Sequence, residues 1–249
     1  ILRNLRKRSF APSRSPEFCA ARADSSNLSN SLRGRKKRSG LSFSKDSTLL
    51  NPNFIAKLCA HGGRPIQTKA IVLDRDGVIN RDSENYIRSP NDWQPLPGSL
   101  EAIAALKKNG WKVAIATNQS GLARGLFNIS VLDAIHQKMR SELQVRGGAI
   151  DHIEYCPHGP DDGCNCRKPQ PGMFLSIARC FGVPLQGVPI VGDSARDIQA
   201  AISVGARPIL VLSGNGERHL AQGLIPQGVE VFENLAKAVE SLIQSANKT

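Results

Sequence analysis

The sequence predicts an α/β fold, a doubly wound Rossmann-like parallel sheet, on three observations. Short apolar runs rich in Val and Ile alternate with stretches of helical periodicity from residue 69 onward, the pattern of parallel strands joined by helical crossovers. Three of these runs, 70–73, 111–118 and 187–192, end in or lead into small polar or acidic residues, as strands do when a ligand binds beyond their carboxyl ends. Between the first and second runs there is room for one loop and one helix, so no large cap domain is expected there.

Each element follows from local signals. Residues 70–73 (Ala-Ile-Val-Leu) are uncharged and fit the centre of a parallel sheet, and Gly77 lets the chain turn sharply behind Asp74 and Asp76. Residues 81–97, polar and punctuated by Pro90, Pro95 and Pro97, form a loop. A helix starts near Ser99, carries Leu100, Ile103 and Leu106 on one face, and stops at Asn109-Gly110. Residues 111–118 make the second strand, and strand, helix, strand at this spacing is a parallel crossover. After a loop over 120–125, Ser130 with Asp133 three residues later reads as the N-terminal cap of a helix running to Arg146, closed by Gly147-Gly148. A third strand is expected over 149–155, then a cysteine-rich loop over 156–168 and a helix over 172–181 closed by Gly182. A fourth strand over 187–192, a helix over 194–204, strands over 208–212 and 229–232, and a last helix from Asn234 complete the alternation.

Charge separates the chain into two parts. Residues 1–68 carry 14 Lys/Arg against 3 Asp/Glu, +11 of the formal net charge of +12, so the pI of about 9.8 says little about residues 69–249. The front part is expected to be a disordered basic leader and 69–249 the folded domain. The leader's Arg- and Ser-rich, acid-poor character fits an organellar transit peptide, a nucleic-acid-binding arm, or a leader foreign to the native protein, since no Met precedes Met139. No apolar run approaches the roughly 18 residues of a membrane-spanning helix. Three cysteines are scattered (Cys19, Cys59, Cys180) and three clustered, which is no disulfide framework and points to a reducing, cytoplasmic compartment.

The strand tips present Asp74 and Asp76, Thr117 and Asn118, and Asp193, and the cysteine-rich loop ends in Arg167-Lys168. An EF-hand is excluded for the first pair because its glycine must be sixth, whereas Gly77 is fourth from Asp74. These groups suit phosphoryl transfer, whose anionic transition state needs cations and donors around the equatorial oxygens and a nucleophile in line. Hydrolysis of a phosphate monoester demands accelerations up to ~10²¹. Positioning and one general acid fall short of that; a carboxylate nucleophile, a lysine and a metal together can supply the rest.

In order along the chain, Asp74-Arg75-Asp76-Gly77-Val78-Ile79-Asn80, Thr117-Asn118-Gln119-Ser120-Gly121, Lys168-Pro169 and Gly192-Asp193-Ser194-Ala195-Arg196-Asp197 resemble the four motifs of the haloacid dehalogenase superfamily. The resemblance covers the chain from Lys69 onward and implies that superfamily's core. It implies Asp74 as nucleophile, forming an aspartyl-phosphate, and Asp76 as general acid and then base. It also implies Mg²⁺ held by Asp74, the Asp76 main-chain carbonyl and Asp193, with Thr117 and Lys168 on the transferring phosphoryl oxygens. Arg167 and Arg124 are expected at the far end of the substrate, with Asn118, Gln119, Ser120 and the wall residues Asp82, Ser83, Glu84, Asn85 and Tyr86 around it. Asp197 is expected to orient Lys168 or a metal-bound water. Ser194 stands where many relatives have lysine.

Residues 120–125 and 169–173 resemble the heptose-bisphosphate phosphatase branch of the superfamily more than histidinol-phosphate phosphatase, the alternative. The implied reaction is removal of the 7-phosphate from a heptose 1,7-bisphosphate, within nucleotide-heptose and lipopolysaccharide core synthesis. The implied partner is that small molecule alone, acted on by a monomer.

Cys156, His158, Cys164 and Cys166 are three thiolates and one imidazole at short spacing, the donor set of a closed, structural zinc site. Folding this loop on Zn²⁺ would position Arg167 and Lys168, which follow Cys166 directly. A zinc-containing nucleic-acid-binding protein is the reading from another class. Against it, Tyr155 is the loop's single aromatic neighbour, and residues 69–249 carry 19 Lys/Arg against 18 Asp/Glu. His61, His136, His152 and His219 read as surface or packing residues.

Overall fold

The computed structural model describes residues 69–247, and the expectations for residues 1–68 lie outside the described residues. Among these, six strands alternate with six helices. The strands are β1 (Ala70–Leu73), β2 (Lys112–Asn118), β3 (His152–Cys156), β4 (Pro189–Gly192), β5 (Arg207–Val211) and β6 (Glu230–Phe232). The helices are α1 (Ser99–Lys108), α2 (Ile129–Val145), α3 (Gly172–Phe181), α4 (Ala195–Ser203), α5 (Gly216–Ala221) and α6 (Leu235–Ala246). All strand pairs are parallel, in the order β3-β2-β1-β4-β5-β6. The chain winds outward from β1 through β2 to β3, then returns to the other side of β1 to place β4. The order therefore reverses between β1 and β4, where Val72 pairs with Ile190 and Leu73 with Val191. Side chains leaving these two tips meet in the crevice that such a reversal opens.

The period of two along each strand sorts the core into two layers. Ile71, Leu73, Val113, Ile115 and Val191 pack with Ile103 of α1, Met139 of α2 and Val239 of α6. Val72, Ala114, Ala116 and Ile190 face the other way, against Phe174 and Ile177 of α3 and Ala200 and Ala201 of α4. Each large aliphatic side chain so buried contributes about 1.5–3 kcal/mol. Residues 81–98 form no cap: after a single 3-10 turn (Pro90–Asp92), Trp93 is fully buried, and Lys138 Nζ donates to the Pro90 and Trp93 carbonyls at 2.8 and 2.9 Å. Among the described residues no helix is long and apolar enough to cross a membrane.

Several boundaries and one helix differ from the sequence reading; β4, for one, starts at Pro189 rather than at 187. Helix α2 is capped by Asn128, whose extended backbone lets its side chain accept the Val131 N–H at 3.0 Å; Ser130 already lies in the first turn. Asparagine is as good a cap as serine and comes first. Strand β3 starts at His152, because Asp151 is occupied in closing the start of β2, accepting the Val113 N–H at 2.7 Å and Lys107 Nζ on its two oxygens at 2.8 and 2.6 Å. Helix α5 was not anticipated, since its six residues carry no apolar period.

Candidate active site

The tips of β1 and β4 and the loop before α3 converge on one buried ammonium. Lys168 Nζ, 2 % exposed as a residue, lies 3.0 Å from Asp74 Oδ2 and 2.6 Å from Asp197 Oδ1, and donates to the Ala116 carbonyl at 2.8 Å. Burial works against the ammonium, but Asp197 and Asp74 outweigh it and hold its pKa above the usual range. Asp193 comes down from β4 into the same cluster. Its close approach needs glycine at position 77, where φ is +81° and an added Cβ would stand 2.1 Å from Asp193 Oδ2. Three carboxylates against one ammonium leave a net negative pocket. Burial, more than any neighbour, raises Asp74 well above the carboxylate range, and burial with the charge of Asp197 pushes Asp193 up to about 7.

Oxygens of Asp74, Asp193 and Asp197 lie within 4.8 Å of one another and could hold a metal ion. Asp197 is already committed: Oδ1 faces Lys168, and Oδ2 accepts both the N–H and the O–H of Ser194, closing the capping box of α4. Asp193 Oδ2 accepts the Asn215 N–H at 2.8 Å and its side-chain amide at 3.3 Å. Oδ1 of Asp193 is thus left for a cation, and Asp74, whose Oδ1 accepts the Arg75 N–H at 2.7 Å and whose Oδ2 faces Lys168, would share an oxygen with it; the unbalanced charge around them fits one.

Asp76 is held from four directions. Arg75 Nε and Nη2 donate to its two oxygens at 3.0 and 2.9 Å, Asn80 Nδ2 to Oδ1 at 2.9 Å, and Gln119 Nε2 to Oδ2 at 3.0 Å. These donors fill about all the acceptor sites of a carboxylate. Arg75 is itself fully buried, with Nη1 3.3 Å from His136 Nε2. Burial and the Arg75 charge lower His136 to about 3, so the ring is neutral and accepts from the guanidinium.

A cleft of about 390 Å³ opens over these groups. Of the residues expected around a substrate, Asp82, Ser83, Glu84, Tyr86, Asn118, Gln119, Ser120, Arg124 and Arg167 line it, as do Asp74, Asp76, Thr117, Lys168 and Asp193. Asn85 is not among its lining residues: its carbonyl accepts Arg88 Nε at 2.6 Å. Asn118 is also structural, exchanging two 3.1 Å hydrogen bonds with the Lys168 main chain. Thr117 Oγ1 receives Gln119 Nε2 at 2.9 Å. Sequence reasoning missed Arg75, Asn80, Arg196 and Asn215. The first three stand inside quoted motifs but were read only as spacers. Asn215 lies in Ser213-Gly214-Asn215-Gly216, a run of small polar residues at the tip of β5, and a strand-tip reading extended one strand further would have found it.

The loop after β3 brings Cys156, His158, Cys164 and Cys166 together. Sγ of Cys156 lies 3.6 Å from His158 Nδ1, 3.7 Å from Cys164 Sγ and 3.3 Å from Cys166 Sγ, and Cys166 Sγ lies 3.3 Å from His158 Nδ1 and 3.5 Å from Cys164 Sγ. Donors about 2.3 Å from a central ion at tetrahedral angles stand roughly 3.8 Å apart, so the cluster is already near that size. Gln119 N–H donates to the Cys156 carbonyl at 2.8 Å, and Arg167 Nη1 to the His158 carbonyl at 3.3 Å, tying the cluster to the cleft.

Comparison with known proteins agrees with this geometry. The HAD-hydrolase-like family matches residues 165–238. The D-glycero-beta-D-manno-heptose-1,7-bisphosphate 7-phosphatase of Bordetella bronchiseptica is 57 % identical over 178 residues, 72 % of this chain and 99 % of that protein. The protein of the same description from Pseudomonas putida is 51 % identical over 175 residues, 70 % of this chain and 99 % of its own length. The crystal structure of the Bordetella bronchiseptica phosphatase, complexed with magnesium and phosphate, superposes with a TM-score of 0.70 and covers 72 % of this chain and 99 % of that one. The chain belongs to the D-glycero-beta-D-manno-heptose-1,7-bisphosphate 7-phosphatase family of haloacid dehalogenase-like hydrolases.

Proposed function

We propose that the chain removes the 7-phosphate of D-glycero-D-manno-heptose 1,7-bisphosphate, leaving the 1-phosphate. The observation that carries this is the convergence of Asp74, Asp193, Asp197 and Lys168 at the switch point, under a cleft rimmed by Arg124, Arg167 and Arg196. Its inner end suits one phosphoryl group and its outer end a second anion. The relatives at 57 % and 51 % identity bear that activity in their names, and this chain spans 99 % of each.

Asp74 attacks the phosphorus, and the aspartyl-phosphate that forms on its carboxylate is then hydrolysed. Asp76 protonates the departing sugar oxygen and takes a proton from the attacking water. For that it must free an oxygen; of its donors Arg75 and Gln119 line the cleft, and the neutral Gln119 amide is the weaker hold. Thr117 and Lys168 bind the equatorial oxygens. Mg²⁺, held by Asp74, Asp193 and the Asp76 main-chain carbonyl, supplies charge neutralisation of the phosphoryl group; the Bordetella relative was crystallised with magnesium and phosphate. Arg167 and Arg124 take the 1-phosphate, whose oxygens guanidinium forks suit. Cys156, His158, Cys164 and Cys166 hold a structural Zn²⁺ that fixes the loop carrying Arg167 and Lys168. The enzyme acts on a small molecule, as a cytoplasmic monomer in lipopolysaccharide core synthesis.

The test is kcat/KM with Mg²⁺ for the heptose bisphosphate against histidinol phosphate, the product read by phosphorus NMR. The bisphosphate should be preferred and should lose its 7-phosphate. Preference for histidinol phosphate, or loss of the 1-phosphate first, would overturn the proposal.

A further inference from the structure

The loop behind the metal-facing carboxylates does more than close the sheet. Gly214 (φ +63°) lies so close that an added Cβ would stand 2.2 Å from Asp193 Oδ2 and 2.7 Å from Gly77 Cα, and Ser213 Oγ donates to the Gly77 carbonyl at 2.8 Å. The next residue, Asn215, uses every polar atom of its side chain. Its amide nitrogen donates to Asp193 Oδ2 at 3.3 Å and to Asp82 Oδ2 at 3.0 Å, and its oxygen accepts from Arg218 Nη2 at 2.6 Å, which fixes which end of the amide faces the carboxylates.

One –NH₂ group therefore spans two carboxylates with different partners. Asp193 would hold the cation through Oδ1, its Oδ2 being held by Asn215. Asp82 is exposed, begins the loop 82–86 that walls the cleft, and accepts the Ser83 N–H on its other oxygen at 2.8 Å. The amide is planar, with two hydrogens in fixed directions. It satisfies both carboxylates only when both are in place, so fixing Asp82 favours the amide orientation that, with the Asn215 main-chain N–H, holds Asp193.

We propose that Asn215 is a positioning residue that couples occupation of the sugar end of the cleft to affinity for the divalent cation, through Asp82–Asn215–Asp193. The inference rests on the sugar-phosphate reading above and goes beyond it. By linkage, the sugar phosphate tightens cation binding by the same factor as the cation tightens the sugar phosphate. A lone phosphate monoester too small to reach Asp82 gains nothing from it.

Calorimetric titration of Mg²⁺ into the full chain, alone and with saturating D-glycero-D-manno-heptose 1-phosphate, measures the coupling without turnover. In the wild type the sugar phosphate should tighten Mg²⁺ binding at least about fivefold. Asn215→Ala should weaken Mg²⁺ alone about tenfold, the lower end for loss of an outer partner because the main-chain N–H to Asp193 survives, and should no longer respond to the sugar. Asn215→Asp keeps the shape and the Arg218 contact but presents an acceptor to two carboxylates, so it should do no better than alanine; a purely packing role predicts wild-type behaviour. Asp82→Ala, on an exposed loop, keeps the test available if position 215 does not tolerate change: it should lose the sugar response while altering Mg²⁺ alone far less than Asn215→Ala. A full sugar response in Asn215→Ala or Asp82→Ala, or sugar binding without any effect on Mg²⁺ in the wild type, overturns the coupling. A sugar phosphate that does not bind the wild type at all refutes the substrate reading and this inference with it.

Discussion

Asp74 is a residue whose chemistry and stability pull in opposite directions. Burial raises its pKa above the ordinary carboxylate value, so at any pH above that ordinary value Asp74 costs the metal-free fold stability. Asp74→Asn should abolish turnover, since an amide is no nucleophile, and yet raise the metal-free melting temperature by a few degrees; scanning fluorimetry without Mg²⁺ checks this, and substantial activity with deamidation excluded would refute the nucleophile. Lys168→Ala should do the reverse to stability: it leaves Asp74 and Asp197 buried without their cation, a change that costs about 3–5 kcal/mol. His136 gives a pH effect of defined sign. Its folded pKa of about 3 lies below the ordinary value of 6.5, so its contribution is fully present above 6.5 and is lost as pH falls toward 3, because only the unfolded chain takes up the proton. Urea denaturation should show His136→Gln, which keeps an acceptor for Arg75, losing about 2 kcal/mol less than wild type between pH 7 and 5; parallel pH profiles would refute it. Asp74, Asp76, Thr117 and Asp193 were legible because each sits at a strand tip inside a short motif, and Lys168 because its motif ends the cysteine-rich loop. Asn215 and Asp193 stand 22 positions apart, and Arg75 and His136 61, so these contacts exist only once the sheet has brought them together.

At the scale of elements, the cysteine loop and the helix caps show what local sequence can and cannot say. The Cys156, His158, Cys164 and Cys166 cluster was legible as a set because metal-ligand spacing is itself a local property. Their effect on the cleft is not local: Cys156 ends β3, its carbonyl accepts the Gln119 N–H, and Lys168 follows Cys166 by two residues. Removing Zn²⁺, or Cys164→Ser, should therefore lower the melting temperature and kcat/KM together; a zinc-free protein, verified by metal analysis, with full Mg²⁺-dependent activity would show that the loop does not position the cations. The α2 cap was misplaced by two residues because Asn128 and Ser130 are both competent caps and only the backbone chooses. Asn128→Ala should cost about 1 kcal/mol and Ser130→Ala much less.

For the whole molecule, the alternation of apolar runs and helical stretches was enough to foresee a doubly wound sheet. The strand order follows only because β1 can pair on both sides, and no residue pattern states which neighbour it takes. The described site residues and both core layers lie between residues 69 and 247. A fragment spanning 69–249 should accordingly melt cooperatively and retain kcat/KM within about twofold of the full chain, since ordinary changes away from cores and sites stay within ±0.5 kcal/mol; loss of folding or activity would show that residues 1–68 belong to the catalytic unit.

Among the described residues no sulfur lines the cleft, and Asp74 needs none. Yet Lys168 is two peptide bonds from Cys166, so an agent that never enters the cleft should still switch the enzyme off. Mercurials, Cd²⁺ or a disulfide-forming oxidant, acting on thiols outside the reaction path, should inhibit this phosphatase as if it had a catalytic cysteine, and a substrate analogue in the cleft should slow that inhibition only as far as it steadies the loop. A chelator such as EDTA should act on the proposed Mg²⁺ and the proposed Zn²⁺ at once. Rescue by Mg²⁺ alone then measures how much Zn²⁺ the loop has kept, which turns a routine control into an assay of the structural site.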